Sequence, residues 1–169
     1  MSYTRSIKNL SITVYLTLAL LRGSIGTSWG NDFLKGLNAY HSSDFATALS
    51  EWKPLAEQGH SPSQYNLGFM YYKGKSVPQD YGSAVKWYTL AAEQGDSNAQ
   101  NNLGVMFANG QGLPEDFIYA HMWFSISALN GNANGRKSRE IIEKRMIAAQ
   151  VGIAEELAQK CAQNQYKDC

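Results

Sequence analysis

The sequence predicts an all-α fold, a solenoid of stacked helix-turn-helix hairpins, from three observations: self-similarity at a fixed period, apolar spacing of the helical kind inside each period, and turn residues that recur with it. Offset by 36, residues 61–96 and 97–132 share 13 identities, from Ser61, Gln64, Asn66, Leu67 and Gly68 through Asp80, Ala84 and Trp87 to Gly95. Aromatics answer aromatics between them: Tyr71 to Phe107, Tyr81 to Phe117, Tyr88 to Phe124. Within a period, Leu67, Met70 and Tyr71 recur at i, i+3, i+4, and Ala84, Trp87, Tyr88 and Ala91 do so again, with GKSVPQ between the two sets. That spacing makes two helices and a turn, a unit that buries its apolar face only by stacking on neighbours.

The chain opens on an address. Residues 1–30 carry Arg5, Lys8 and Arg22, no acid, and the apolar run NLSITVYLTLALL, which is the pattern of a secretory signal peptide. The 13 residues between Lys8 and Arg22 fall short of the roughly 20 that span a bilayer, so no stable membrane span is expected after signal removal. Small residues place cleavage after Gly26 (Ser24, Gly26) or after Gly30 (Ser28, Gly30). An uncleaved signal anchor stays open as the alternative, because Arg22 interrupts the run toward the cleavage site. Without residues 1–30 the chain holds 12 basic and 14 acidic residues. The body, 31–135, has five Lys against nine Asp and Glu, and the tail, 136–169, seven basic against five acidic. An exported chain with an acidic body disfavours a nucleic-acid partner.

The first unit, 32–60, is shorter. Asp44, Phe45, Ala48, Ala56 and Gly59 match Asp80, Tyr81, Ala84, Ala92 and Gly95 at 36, whereas Gly36 and Tyr40 match Gly68 and Tyr72 at 32, so HSSD replaces a loop four residues longer. In the full units 61–96 and 97–132, Ser61 with Pro62 fits an N-cap and first helical residue, and Asp80 and Asp116 stand where the second helices start. Gly59, Gly95 and Gly131 fall just past the second helices, where a left-handed residue ends a helix. Gly68 and Gly104 inside the first helices imply close helix packing, since Gly there costs about 1 kcal/mol against Ala. Trp52, Trp87 and Trp123 read as core, with Trp87 and Trp123 expected to be buried between adjacent units. The segment 133–169 is expected to form a C-terminal helical cap, one helix around Ile141, Ile142 and Met146 and another around Ile153, Leu157 and Cys161.

These residues resemble the Sel-1-like repeat, a relative of the tetratricopeptide repeat, over about residues 32–132. Ala99, Gln100, Leu103, Gly104, Phe107, Gly110, Gly112, Leu113, Asp116, Ala120, Trp123 and Ala128 follow its motif in order, as do Leu67 through Ala92 and the closing AAEQG. Two departures stand out, Ser76 in place of the second loop glycine and SALN at 127–130 in place of AAEQ. The resemblance implies a right-handed α-solenoid that serves as a scaffold for protein interaction in bacterial envelope or exported proteins, without catalysis.

Little else in the sequence carries chemistry. Cys161 and Cys169 are the two cysteines, and an even count behind a signal peptide favours a disulfide, with two free thiols as the alternative. Pairing them requires the helix to stop near Asn164, because eight residues of helix would hold the Cα atoms about 12 Å apart. No cofactor and no metal is expected: His41, His60 and His121 stand at no ligand spacing, and no phosphate-loop, dinucleotide or nucleophile-elbow motif occurs. The expected role is an exported or periplasmic scaffold that binds a peptide or protein on the concave face of its repeats. The alternative is a cell-envelope hydrolase, after cysteine-rich β-lactamase-like relatives, but their cysteine pairs are missing from every repeat here. The proposed face is the first-helix stripe Tyr65, Phe69 and Tyr72, with Asn101, Val105 and Ala108 at the equivalent positions of the next unit. Three large aromatics pointing away from the hairpin's packing face either anchor a partner or stack on neighbouring first helices.

Overall fold

The computed structural model describes residues 29–167 and 169, so the signal peptide expected over 1–30 lies almost wholly outside the described residues. Among them are eight α-helices and no strand: α1 (29–41), α2 (Phe45–Glu57), α3 (Ser61–Lys73), α4 (Tyr81–Ala92), α5 (Ser97–Asn109), α6 (Phe117–Leu129), α7 (Ala133–Glu143) and α8 (Ala148–Gln163). None is long and apolar enough to cross a membrane. α2 packs on α3, α3 on α4, α4 on α5, α5 on α6 and α6 on α7, the chain of neighbours that makes a solenoid of hairpins.

Turn chemistry repeats with the helices. Gly59, Gly95 and Gly131 have φ of 92°, 87° and 86°, and the next amide reaches back to the last turn: His60 to Leu55 O, Asp96 to Ala91 O, Asn132 to Ser127 O. The N-cap of each first helix is that same next residue, so Ser61 is the first helical residue and His60, not Ser61, the cap. Asp96 and Asn132 hold the same position and accept from the amides two and three residues on, whereas His60 makes no such bond and its Nδ1 lies 2.7 Å from Ser63 Oγ. The glycine turn fixes the cap one residue later than Ser-Pro spacing implies. Asp80 and Asp116 cap α4 and α6 as their positions require. Ser76 takes a positive φ of 55° in the exposed second loop, where Gly112 has 77°. A Cβ on Gly112 would fall 2.6 Å from Tyr81 C, so glycine is required in that loop, whereas Ser76 stands exposed in the other.

Each hairpin closes on a glycine under an aromatic ring. A Cβ on Gly36 would stand 2.7 Å from Trp52 Cδ1, one on Gly68 2.8 Å from Tyr88 Cδ1, and one on Gly104 2.7 Å from Phe124 Cδ1. Trp52 is therefore the counterpart of Tyr88 and Phe124, not of Trp87 and Trp123, and the tryptophan series mixes two positions. Units are tied by buried glutamines. Gln64 Nε2 donates to Ala56 O and Gln100 Nε2 to Ala92 O, each at 3.1 Å, while Gln94 and Asn130 donate to Gln64 Oε1 and Gln100 Oε1. Asn130 thus keeps the bond that the AAEQ motif supplies, and Ser127, also new in SALN, donates to Ser97 O at 2.7 Å.

Beyond residue 132 the two helices diverge in role. α7 docks on α6 and α5 as the first helix of a fourth unit, while α8 lies against α6. Ala158 and Cys161 of α8 join the core that holds Met122, Trp123 and Ile126. Trp123 is 3% exposed as a result, but Trp87 is only half-buried, with the Lys86 ammonium 5.3 Å from its ring. The expected burial of Trp87 is corrected here: nothing equivalent to α8 packs on α4 among the described helices. α8 stops at Asn164, and Gln165 and Tyr166 turn back with φ of 53° and 64°. The Cα atoms of Cys161 and Cys169 then stand 5.4 Å apart, with the sulfurs joined. Tyr166 Oη donates to Asn130 Oδ1 and Lys167 lies 3.8 Å from Glu93, which seats the tail on the C-terminal ends of α4 and α6.

Candidate functional site

Tyr65, Phe69 and Tyr72 follow one another along α3 and are all half-buried, as are Asn101, Val105 and Ala108 on α5. The aromatics are partly spent on packing. Tyr65 lies 6.0 Å from the Tyr88 ring, Phe69 6.4 Å from Tyr40, and Tyr72 5.6 Å from Tyr81, with its hydroxyl 3.5 Å from Gln111 Oε1. What packing leaves open is two hollows that share Phe69 as a wall.

The first hollow, about 240 Å³, lies between α1 and α3 and is lined by Leu37, Tyr40, Trp52, Tyr65 and Phe69. The second, about 190 Å³, lies between α3 and α5 and is lined by Phe69, Tyr72, Lys73, Tyr88, Asn102 and Val105. Of the six residues the sequence singles out, Tyr65, Phe69, Tyr72 and Val105 are brought together here, while Asn101 and Ala108 line neither hollow. His41 and Asn66 complete the first hollow. Leu37 and Tyr40 were within reach of the sequence, since the offset of 32 that equates Tyr40 with Tyr72 also equates Leu37 with Phe69. Tyr88 and Asn102 repeat Trp52 and Asn66 of the first hollow at an offset of 36, so the period pairs them, but only the fold shows that a second-helix ring reaches the space between two first helices.

Burial sets the electrostatics. It pushes the Tyr65 and Tyr88 hydroxyls above the usual phenol range, so both stay protonated; the Asp96 carboxylate adds to the shift at Tyr65. The Lys73 ammonium lies 5.1 Å from the Tyr72 ring and 5.8 Å from that of Phe69, a cation over an aromatic floor. No group of three or more metal-ligating side chains occurs among the described residues.

A second polar cluster lies at the α6–α7 contact. His121, fully buried, places Nε2 2.9 Å from Glu143 Oε1 and Nδ1 3.4 Å from Ser125 Oγ, and Arg139 Nε stands 3.3 Å from the same Glu143 oxygen. The order serine, histidine, carboxylate is that of an acyl-transfer relay. Ser125, however, is 7% exposed and His121 0%, so a substrate carbonyl has no approach, and the cluster fastens α7 to an otherwise apolar helix.

The fold is that of a repeat protein of stacked helical hairpins, with aromatic hollows left open between its first helices. The chain is a Sel1-repeat protein: the Sel1 repeat model matches residues 61–96 and 97–132. Among solved structures it is similar to a protective antigen of uropathogenic Escherichia coli strains with an SLR fold, at 30% identity and a TM-score of 0.77, covering 82% of this chain and 31% of that one. It is also similar to a Sel1 repeat protein from Oxalobacter formigenes, at 37% identity and a TM-score of 0.53, covering 57% and 28%. The chain spans about a third of the length of these structures. No curated protein matches it significantly in sequence. Proteins of Sel1 repeats are commonly protein-interaction scaffolds and generally not enzymes.

Proposed function

We propose that this protein is an exported scaffold that binds a peptide or protein segment along the face made by α1, α3 and α5. The observation that carries the reading is the pair of aromatic hollows left open between first helices, in a repeat family whose members commonly act through protein interaction. Aromatic rings on rigid helices give large contact area at low entropic cost, which is what an anchor site needs. Capture of a partner by the mature protein from its native cell envelope, followed by titration of the purified partner, tests it. Tyr65→Ala and Tyr72→Ala are each expected to weaken binding by about 1 kcal/mol or more. Both rings also lean on Tyr88 and Tyr81, so binding is compared well below each variant's melting temperature. A loss of binding no larger than the loss of folded fraction would make the stripe core and sink the assignment.

Export rests on the charged flank and short apolar run of residues 1–30. Of the two cleavage positions, Gly26 fits better, because Trp29 donates to Gln58 Oε1 at 3.1 Å and its ring lies 5.5 Å from His60, contacts that cleavage after Gly30 would remove. N-terminal sequencing is expected to begin at Thr27; intact Met1 on membrane-bound protein would overturn export as a soluble form. In an oxidising compartment Cys161 and Cys169 form a disulfide, which non-reducing mass mapping checks.

A further inference from the structure

The Tyr88 hydroxyl is buried and meets the Asn102 amide without a hydrogen bond of ordinary length and angle, and its side chain lines the hollow between α3 and α5. The other two hairpins show how unusual that is. At the equivalent position Trp52 spends its Nε1–H on Phe33 O at 3.2 Å, and Phe124 has no polar atom. A phenol whose ring only had to cover Gly68 would serve as well without its oxygen, and burying an unmet hydroxyl is unfavourable. The same hollow holds the Asn102 amide, which stands beside the Tyr65 and Tyr88 hydroxyls, and the Lys73 ammonium. One cation and two neutral donors converging on a small aromatic-walled space match one kind of group, a carboxylate.

We propose that the hollow between α3 and α5 takes an Asp or Glu side chain of the partner, while the neighbouring hollow between α1 and α3 takes a large apolar or aromatic side chain. The inference rests on the groove reading above and names the partner's chemistry: an extended segment with an acid two residues from an apolar anchor. The spacing follows from Phe69, which walls both hollows. Occupants separated by one shared side chain match side chains at i and i+2 on one side of an extended strand, which are about 6.6 Å apart. Tyr88 O–H and Asn102 N–H donate to the carboxylate, and Lys73, held over the Phe69 and Tyr72 rings, supplies the charge.

The test is selection of random 12-residue peptides displayed on phage against the oxidised mature protein, followed by titration of fluorescein-labelled synthetic peptides against wild type, Tyr88→Phe, Lys73→Met and Phe69→Ala. Selected peptides are expected to carry Asp or Glu two residues from Phe, Trp, Leu or Met, in either order. Replacing that acid by its amide, or Tyr88 by Phe, is expected to cost about ten-fold in Kd, and the two changes together little more than one alone. Tyr88→Phe is expected to melt no lower than wild type, since only an unmet oxygen is removed. A lower melting temperature would mean that the hydroxyl serves the fold, and the inference would fall. Peptides that lose binding in Phe69→Ala but show no acid preference, or are indifferent to Tyr88→Phe, would overturn the carboxylate site and leave the groove standing. If no peptide is selected, or selected peptides ignore Phe69→Ala, the groove reading fails and this inference with it.

Discussion

The second and third repeat units have the same motif and end in different surroundings. In α4 Trp87 is half-buried beneath Lys86; in α6 the equivalent Trp123 is 3% exposed and Met122, the counterpart of Lys86, is 1% exposed. Every residue from Ala120 to Ser127 is buried, whereas α4 buries Ala84, Tyr88, Ala91 and Ala92. α8 makes the difference, by lying on α6 and on no other second helix to a comparable extent. The comparison teaches that a repeat motif specifies how a hairpin closes and stacks, but not whether its outer face meets water. Once that face is covered, the helix becomes apolar all round and polar contacts survive only as paired groups such as His121 with Glu143.

The sharpest way to break the comparison is to empty both tryptophan positions. Trp123→Ala is expected to cost about 3 to 5 kcal/mol and Trp87→Ala about 1 to 2 kcal/mol, since the second ring is already partly in water. Urea midpoints at constant slope measure both. Equal losses would mean that α8 does not shield α6.

The tail can be loosened without touching the core. Cys161 and Cys169 close a loop of eight residues, so Cys169→Ser is expected to cost about 2 to 3 kcal/mol and to release Tyr166 and Lys167 from Asn130 and Glu93. Amide exchange is expected to rise over residues 148–167 and around Asn130, with little change in α3. Uniform loosening of all units would show that the tail supports the whole solenoid.

Adding a methyl tests the hairpin seam in each unit. Gly104→Ala meets both the Phe124 ring and Ala120 O, the latter at 3.1 Å, whereas the three atoms nearest a methyl on Gly68 all belong to the Tyr88 ring. Overpacking of about 1 to 3 kcal/mol is expected, with Gly104→Ala the worse because a backbone carbonyl cannot swing aside. The reverse order, read by thermal melting, would contradict the packing.

The smallest effect separates the two units' caps. Asp80 accepts from the Ser83 hydroxyl at 2.6 Å and from its amide at 3.1 Å, and these bonds hold its carboxyl below the ordinary 3.8. A lowered folded-state value means that the unfolded chain binds the proton more readily. The stabilisation is therefore complete above about pH 4 and is lost as pH falls through the folded value. Asp44, held low by Thr47, adds to the same acid limb. Ser83→Ala is expected to move the Asp80 midpoint upward in a carboxyl-carbon NMR titration, and no movement would remove the hydroxyl from the account. In the third unit the residue equivalent to Ser83 is Tyr119, so that cap relies on the amides of Ile118 and Tyr119.

The sequence by itself determined the period, the hairpin, the close helix packing at Gly68 and Gly104, the aspartate caps of the second helices and the aromatic stripe of α3. All of these are set within one or two turns of chain or by a neighbour exactly one period away, so they recur and can be read. Tertiary structure decided the rest. That α8 covers α6 and leaves Trp87 partly in water, and that the Tyr88 hydroxyl lies in one hollow with Lys73 and Asn102, depend on contacts that the period does not specify. Met122 in place of Lys86 was the one local trace of the α8 contact, and it acquires meaning only when α8 is seen to lie there. Packing is a pairwise property, and a single chain position records its own side chain while leaving the partner unnamed.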